Sequence, residues 1–248
     1  MADTKISALS ENTSPLVTDL LALIDDPGGS PVSQKMTIAS LLTLAVSNVV
    51  VQVLTAGTTT YTPTALMKKV LVICVGGGGG TPAETAADAA VSGGGGGGCA
   101  IKLFTAADIG VSKTCVIGAA STGAGNTSGL GTANALLQAT GGAIGVSTGN
   151  LTAGMVRGGI GGVGTLGDIN MNGRGGGPGV TTTTAIGHGG DGGDSFFGGG
   201  GRGGINSQIG EAGGAYGAGA GGSHVSDGGD LGAVSGAAGV IMCLEFLD

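Results

Sequence analysis

The sequence predicts a mainly β protein in which a small N-terminal segment precedes a larger glycine-rich domain. Short apolar runs separated by glycine loops begin near residue 67 and are typical of a β-sandwich. Glycine supplies 59 of 248 residues, far above the usual share of about 7%. It is densest in residues 173–222, with shorter runs at 76–80 and 93–98. Each ordered glycine costs roughly 0.5–1 kcal/mol more than alanine, so this stretch is either disordered or ordered by something other than side-chain packing.

Composition excludes several functional classes. Charged residues make up 10% of the chain and hydrophobic residues 41%, the opposite of a disordered composition. A net charge of −7 and an aromatic content of 2% argue against nucleic-acid binding, which needs basic groups and stacking platforms. The N-terminus lacks the apolar core of a signal peptide. The uncharged window between Lys35 and Lys68 is interrupted by polar residues, so membrane insertion is not expected.

The cysteines are expected to be small buried hydrophobes in a reducing compartment. Cys74, Cys99, Cys115 and Cys243 show no CxxC spacing, and two of them lie in apolar strand-like runs. Neither a metal nor another cofactor is therefore predicted.

Residues 1–54 form the predicted N-terminal segment. Residues 19–25 and 34–38 resemble two strands joined by the turn-forming sequence DPGGSP. Residues 39–47 have helical spacing of leucine and alanine, and 49–54 either continue this packing or connect it to the next domain. A hairpin with one short helix buries too little surface to be stable alone, so the segment needs partners, most simply copies of itself.

Residues 55–248 form the predicted glycine-rich domain. The strands expected there cover residues 67–75, 99–104, 113–117 and 239–246. The last is expected to pair with residues 70–75, so that both ends of the domain meet in one sheet. Residues 81–90 form a short insertion with helical character after Pro82.

The N-terminal sequence resembles a known attachment segment. KISAL at residues 5–9, DLL at 19–21 and KMT at 35–37 are similar to the segment that opens many bacteriophage tail-fibre, tail-spike and other virion appendage proteins. The resemblance covers about a fifth of the chain. It implies a usually trimeric segment that attaches the appendage to other virion tail or baseplate proteins.

The rest of the chain resembles the glycine-rich C-terminal domain of phage tail-fibre and adhesin proteins. SFFGGGGRGG at residues 195–204 and the terminal GAAGVIMCLEF carry most of this resemblance. It implies glycine segments packed as polyglycine-II helices in a β-sandwich frame, with exposed turns that contact a bacterial surface receptor, either a glycan or an outer-membrane protein.

Enzymatic and nucleotide sites find little support. The run 76–80 is followed by Thr81-Pro82, whereas a Walker A loop ends in Gly-Lys-Ser/Thr. No catalytic motif occurs, although five aspartates leave a glycosidase formally open: Asp168, Asp191, Asp194, Asp227 and Asp230. His188, Asp191 and Asp194 would align on one edge of a three-residue-per-turn helix, but we interpret them as solvated tips of glycine turns rather than as a metal site.

The receptor-contact candidates are the few large side chains within the glycine field: Arg202, Tyr216, His188, His224 and Phe197. Aromatic and arginine side chains dominate many binding surfaces, and Arg202 and Tyr216 are the first of these to test. Phe196 is instead expected to seal the glycine bundle. The expected function is host attachment by a homotrimeric, non-enzymatic virion appendage assembled in the host cytoplasm. The alternatives are a purely structural fibre or decoration protein and a depolymerising enzyme.

We predict that an excised peptide of residues 173–222 is disordered. A polyproline-II-type helix has no internal hydrogen bonds, so its order depends on neighbouring segments. Amide hydrogen exchange of the peptide should be as fast as in a random coil, and slow exchange would contradict the prediction.

Overall fold

A computed structural model describes residues 20–25, 32–37, 49–55, 59–149, 153–183, 186–226 and 229–247. The chain divides into one unit of residues 1–48 together with residue 248, and a second unit of residues 49–247. The structure is mainly β, as predicted. Among the described residues, the α-helical content is a single turn, α1 (Ala106–Ile109).

The first unit contains an antiparallel hairpin, which confirms the one predicted. Strand β1 (Leu20–Asp25) pairs with β2 (Val32–Thr37), with Leu20 opposite Thr37 and Asp25 opposite Val32. The helix predicted for residues 39–47 lies outside the described residues.

The second unit is organised on a five-stranded antiparallel sheet, the main sheet. Its order is β13 (Ile169–Met171), β7 (Cys99–Thr105), β5 (Met67–Val75), β17 (Val240–Leu247) and β3 (Val49–Leu54). The predicted pairing of the C-terminal strand is confirmed, since Ile241 lies opposite Cys74.

Strand β3 belongs to the main sheet and not to the N-terminal segment in which the sequence places it. It pairs with β17 along its whole length, and Leu54 is buried in the core of this unit. The boundary between the two units therefore falls after residue 48 rather than after residue 54.

A second five-stranded antiparallel sheet packs on the main sheet to complete a sandwich. Its order is β12 (Gly164–Thr165), β10 (Leu137–Ala139), β9 (Ser128–Leu130), β8 (Lys113–Val116) and β4 (Thr60–Tyr61). The core between the sheets joins Val70 and Val72 of β5 to Leu130 and Leu137.

All four cysteines are buried, as expected of small hydrophobes, and none of them forms a disulfide. Burial raises the pKa of the Cys99 thiol to about 11 and that of Cys243 to about 12. Both thiols therefore stay protonated and unreactive near neutral pH.

Two smaller sheets lie beyond the sandwich. One contains β11 (Gly154–Val156), β14 (Gly179–Thr183) and β15 (Ile186–His188), and the other pairs β6 (Ala89–Ala90) with β16 (His224–Val225). The helix predicted after Pro82 is wrong. The N–H groups of Thr81 and Glu84 donate to the carbonyls of Val234 and Leu231, so lateral bonding takes donors that a helix would need.

The remaining glycine-rich stretches form a bundle around one central segment, residues 93–98. Successive N–H groups of this segment donate to three neighbouring segments in turn, so every third N–H donates to the same neighbour. The three acceptors are segments 140–146, 172–178 and 217–223. The carbonyl groups of this segment and of Val91 accept, with the same three-residue period, from segments 76–80, 157–163 and 188–194. These six neighbours are called the ring segments.

The ring segments also bond to one another in a closed cycle. Each ring segment bonds to the next in the order 76–80, 140–146, 157–163, 172–178, 188–194 and 217–223. Segment 217–223 then bonds back to segment 76–80. Six neighbours and a three-residue period are the features of polyglycine II, whose helices have three residues per turn and no internal hydrogen bonds.

Five outer segments extend the bundle on one side. They cover residues 118–121, 123–126, 198–205, 208–214 and 231–239, and each bonds through its backbone to ring segments or to another outer segment. The stretch 173–222 therefore supplies three ring segments and two outer ones, while the centre belongs to the shorter run 93–98.

Close approach explains why the central segment is all glycine. A Cβ atom on Gly95 would lie 2.2 Å from the carbonyl oxygen of Ile160, and one on Gly97 would lie 2.1 Å from that of Gly76. Side chains occur instead where a segment faces solvent, and in segment 157–163 the exposed Ile160 and Val163 are three residues apart.

We predict that Gly95→Ala strongly destabilises the domain, whereas Gly199→Ala does not. The methyl group at position 95 meets backbone atoms that cannot rotate away, so the cost should reach or exceed the roughly 1–3 kcal/mol typical of overpacking. The nearest atom to a Cβ on Gly199 is 3.9 Å away. Urea denaturation of both variants would measure the difference, and equal midpoints would contradict the close packing around Gly95.

Candidate functional site

The glycine bundle extends from one end of the main sheet, and the chain enters that sheet at the other end. Val49, the first residue of the second unit, lies opposite Phe246. Val75 and Val240 pair at the opposite end of the same strands and lead directly into the bundle segments 76–80 and 231–239. The bundle therefore lies at the end of the main sheet remote from Val49.

Six bundle segments run away from the sandwich, and the connections that follow them define the distal end of the bundle. These segments are 76–80, 118–121, 140–146, 172–178, 198–205 and 217–223, as the order of their backbone hydrogen bonds shows. Backbone pairing joins four of these connections. The β6–β16 pair joins those that follow 76–80 and 217–223, and a bridge from Val91 to Ser147 joins the first of them to the connection after 140–146. The β11–β14 pair then joins that connection to the one after 172–178.

Arg202, a receptor-contact candidate from the sequence, lies near the distal end. It projects from segment 198–205 with 82% of its side chain exposed, and its Nη2 donates to Oε1 of Glu211 at 2.8 Å. The Arg202 guanidinium lowers the pKa of the Glu211 carboxyl. The pair borders a shallow depression lined also by Ile205, Gln208 and Ile209.

The distal end also carries exposed apolar side chains that were not predicted as site residues from the sequence. Met155, Ile186, Ile205 and Ile209 are all at least half exposed. Each lies next to glycine or polar residues in the sequence, and an isolated large aliphatic residue in such a setting is the signal that points to them.

Phe197 and Tyr216 lie at the opposite end of the bundle. They occupy the turns that join inward-running segments to outward-running ones, and their ring centroids are 6.5 Å apart. Phe196 packs edge to face on Phe197 at 4.7 Å but is 46% exposed, so the prediction that it seals the bundle is wrong. These three residues form an aromatic cluster that cannot share one binding site with Arg202.

His188 and His224 differ sharply in exposure although both lie at the distal end. His188 is exposed, whereas His224 is fully buried and neither of its ring nitrogens has a hydrogen-bond partner among the described residues. A surface receptor therefore cannot reach His224 in the folded chain. Burial, and secondarily the nearby His188, lower the pKa of His224.

Asp191 and Asp194 complete the backbone bonding of the bundle at its edge. Oδ1 of Asp191 accepts from the N–H of Gly203 at 2.9 Å, and Oδ1 of Asp194 accepts from that of Gly200 at 2.9 Å. The hydrogen bond from the N–H of Gly200 lowers the pKa of Asp194, and the hydrogen bond from Arg174 lowers it further. The two carboxylates therefore accept backbone N–H groups of segment 198–205, as the carbonyl groups of another bundle segment would. The described residues contain no group of three or more His, Cys, Asp or Glu side chains arranged to hold a metal.

One buried carboxylate in the sandwich is fully bonded and was also missed. Glu245 accepts from the Tyr61 hydroxyl at 2.5 Å, from Nε2 of Gln52 at 2.8 Å and from the N–H of Thr64. Burial, and then Glu245, raise the pKa of Tyr61 well above its usual range. This network joins β3, β4 and β17 inside the core, so we assign it a structural role.

Neither a protein-family model nor a curated protein matches the chain. Among the described residues, no helix has the length and apolarity needed to cross a membrane.

We predict that His224 makes the domain less stable as the pH falls below about 6.5, the usual histidine pKa. Its folded-state pKa is lowered, so the unfolded chain takes up the proton first and stability is lost with acidification. The difference between the melting temperatures at pH 7.5 and pH 5.5 should be larger for the wild type than for His224→Gln. His188→Gln serves as the exposed control and should keep most of the wild-type dependence, because burial is the larger cause of the lowered His224 pKa. An unchanged dependence in His224→Gln would refute this assignment.

Proposed function

We propose that this chain is a bacteriophage tail-fibre or related virion appendage protein that attaches the particle to its host by non-covalent receptor binding. Residues 1–48 would bind other virion tail or baseplate proteins, and the distal end of the bundle would contact the bacterial surface. The protein would be a homotrimer located on the virion and without enzymatic activity.

The polarity of the second unit is the observation that carries this proposal. An adhesin must present its binding surface away from its point of attachment. Here Val49 and the distal end lie at opposite ends of a single compact unit. Binding residues are commonly found on loops held by a rigid scaffold, and the bundle holds several connections together at its distal end.

The chemistry of the distal end suits reversible recognition. Exposed Ile205 and Ile209 offer apolar contacts, and Arg202 offers a guanidinium that forms paired hydrogen bonds with carboxylate or phosphate groups. Glu211 already occupies that guanidinium, so an anionic receptor group would have to replace it.

A purely structural fibre or decoration protein is the second candidate. The Arg202–Glu211 ion pair favours this candidate, because each charge already has a partner within the chain. Adsorption experiments distinguish the two functions.

We predict that the purified full-length chain blocks adsorption of a phage that carries it. Ile205→Asp combined with Ile209→Asp should raise the half-blocking concentration about tenfold or more, which corresponds to at least about 1.4 kcal/mol of binding free energy. Both residues are half exposed, so the variant should remain folded, which its melting temperature checks.

Val111→Asp is the matched control, because Val111 is 89% exposed and lies between α1 and β8 in the sandwich. It should block like the wild type. If the folded wild-type chain leaves adsorption unchanged at saturating concentration, the receptor-binding function is excluded and the structural candidate takes its place.

A further inference from the structure

The main sheet is apolar on both of its faces, although only one face packs in the sandwich. Side chains alternate along each strand, and one set, including Val70 and Val72, lies in the core. The other set forms the outer face: Val49, Val51, Val53, Leu71, Ile73, Ile101, Leu103, Ile169, Met171, Met242, Leu244 and Phe246.

Strand register arranges these side chains in unbroken rows. Ile169, Ile101, Ile73, Met242 and Val53 lie opposite one another across all five strands. A second row joins Leu103, Leu71, Leu244 and Val51 across four strands. Lys69, in the next row, is the only charged side chain in these three rows.

Much of this face is uncovered in the single chain. Val49, Val51, Val53, Leu103 and Ile169 are 47–55% exposed. An antiparallel sheet with one face in water normally alternates apolar with polar residues, whereas strands that are apolar throughout are buried on both faces. The sequence of the main sheet is therefore that of a sheet covered on both sides.

The size of the outer face suits a specific interface. Five strands at about 4.8 Å spacing and six residues at about 3.4 Å each give roughly 500 Å² of sheet. In the proposed homotrimer, three such faces meeting around one axis would bury about 1,500 Å² in total, which exceeds the roughly 1,000 Å² expected of a specific interface. The aromatic cluster lies beside this face, because a Cβ on neighbouring Gly217 would lie 2.8 Å from Cγ1 of Val75, a buried residue on the same side of β5 as Ile73.

We infer that the outer face is covered by another copy of this chain. Val49 lies on the face and directly follows the N-terminal unit, whose two-stranded hairpin is only marginally stable alone. Association of the N-terminal units would hold outer faces together at millimolar effective concentration. The near absence of charge on the outer face is typical of the cores of homomeric interfaces. The face therefore has no charge pattern that would recognise a partner of complementary charge.

This inference rests only on the oligomeric part of the proposed function. Phe197 and Tyr216, expected from the sequence to contact a receptor, would border the contact between copies instead. Receptor binding at the distal end can fail while the copies still meet at the outer face, and adsorption and thiol protection report on the two separately.

The test is thiol labelling of the full-length chain by an aromatic disulfide reagent, with the mass of the same sample measured by light scattering. The natural cysteines are buried, so Val51→Cys and Val111→Cys each add one accessible thiol, on the outer face and away from it. We expect an oligomer in which the thiol at position 51 reacts at least tenfold more slowly than that at 111, with protection that declines on dilution.

Equal labelling rates at the two positions would overturn the inference whatever the mass of the particle. Protection of position 51 in a monomer would overturn it as well, because the cover would then come from the same chain. As a second measure, Val51→Lys combined with Leu103→Lys should lower the melting temperature of the oligomer, while Val111→Lys should leave it unchanged. No loss in the double variant would contradict burial of the outer face.

Discussion

Lateral hydrogen bonds between glycine backbones hold the bundle together, and the rest of the second unit serves to make them possible. Each such bond contributes about 0.5–1.5 kcal/mol, whereas fixing the backbone of a residue costs about 1–2 kcal/mol. The bundle is therefore marginal by itself. The strands β5, β7 and β17 are continuous with bundle segments, so the packed sandwich fixes the spacing and register of those segments at one end.

The main β elements could be predicted because their signals are local. Apolar runs bounded by turn residues located the hairpin and the strands at 67–75 and 240–247. The failed helix at residues 81–90 shows the limit of local propensity, because lateral partners at Leu231 and Val234 outcompeted it. Such partners are about 150 residues away in the sequence and leave no local signal.

Glycine content alone did not predict which glycine segment lies at the centre of the bundle and which lie at its edge. Residues 173–222 hold more glycine in total, but their side chains interrupt it wherever a segment faces solvent. Residues 93–98 have no side chain in six consecutive positions, which is what six neighbours require. Of the candidate site, Arg202 was recognisable by its isolation in glycine, whereas the burial of His224 depends on contacts with Gly187 from a distant strand.

The all-glycine interior has a consequence for how this protein can change over evolutionary time. An ordinary core constrains a loop through the side chains beneath it, so a new loop sequence often demands compensating changes inside. Here the interior presents only main-chain atoms, which are the same whatever the neighbouring residues are. The connections at the distal end can therefore diversify in sequence while the lattice below them stays fixed, much as variable loops do on an immunoglobulin framework.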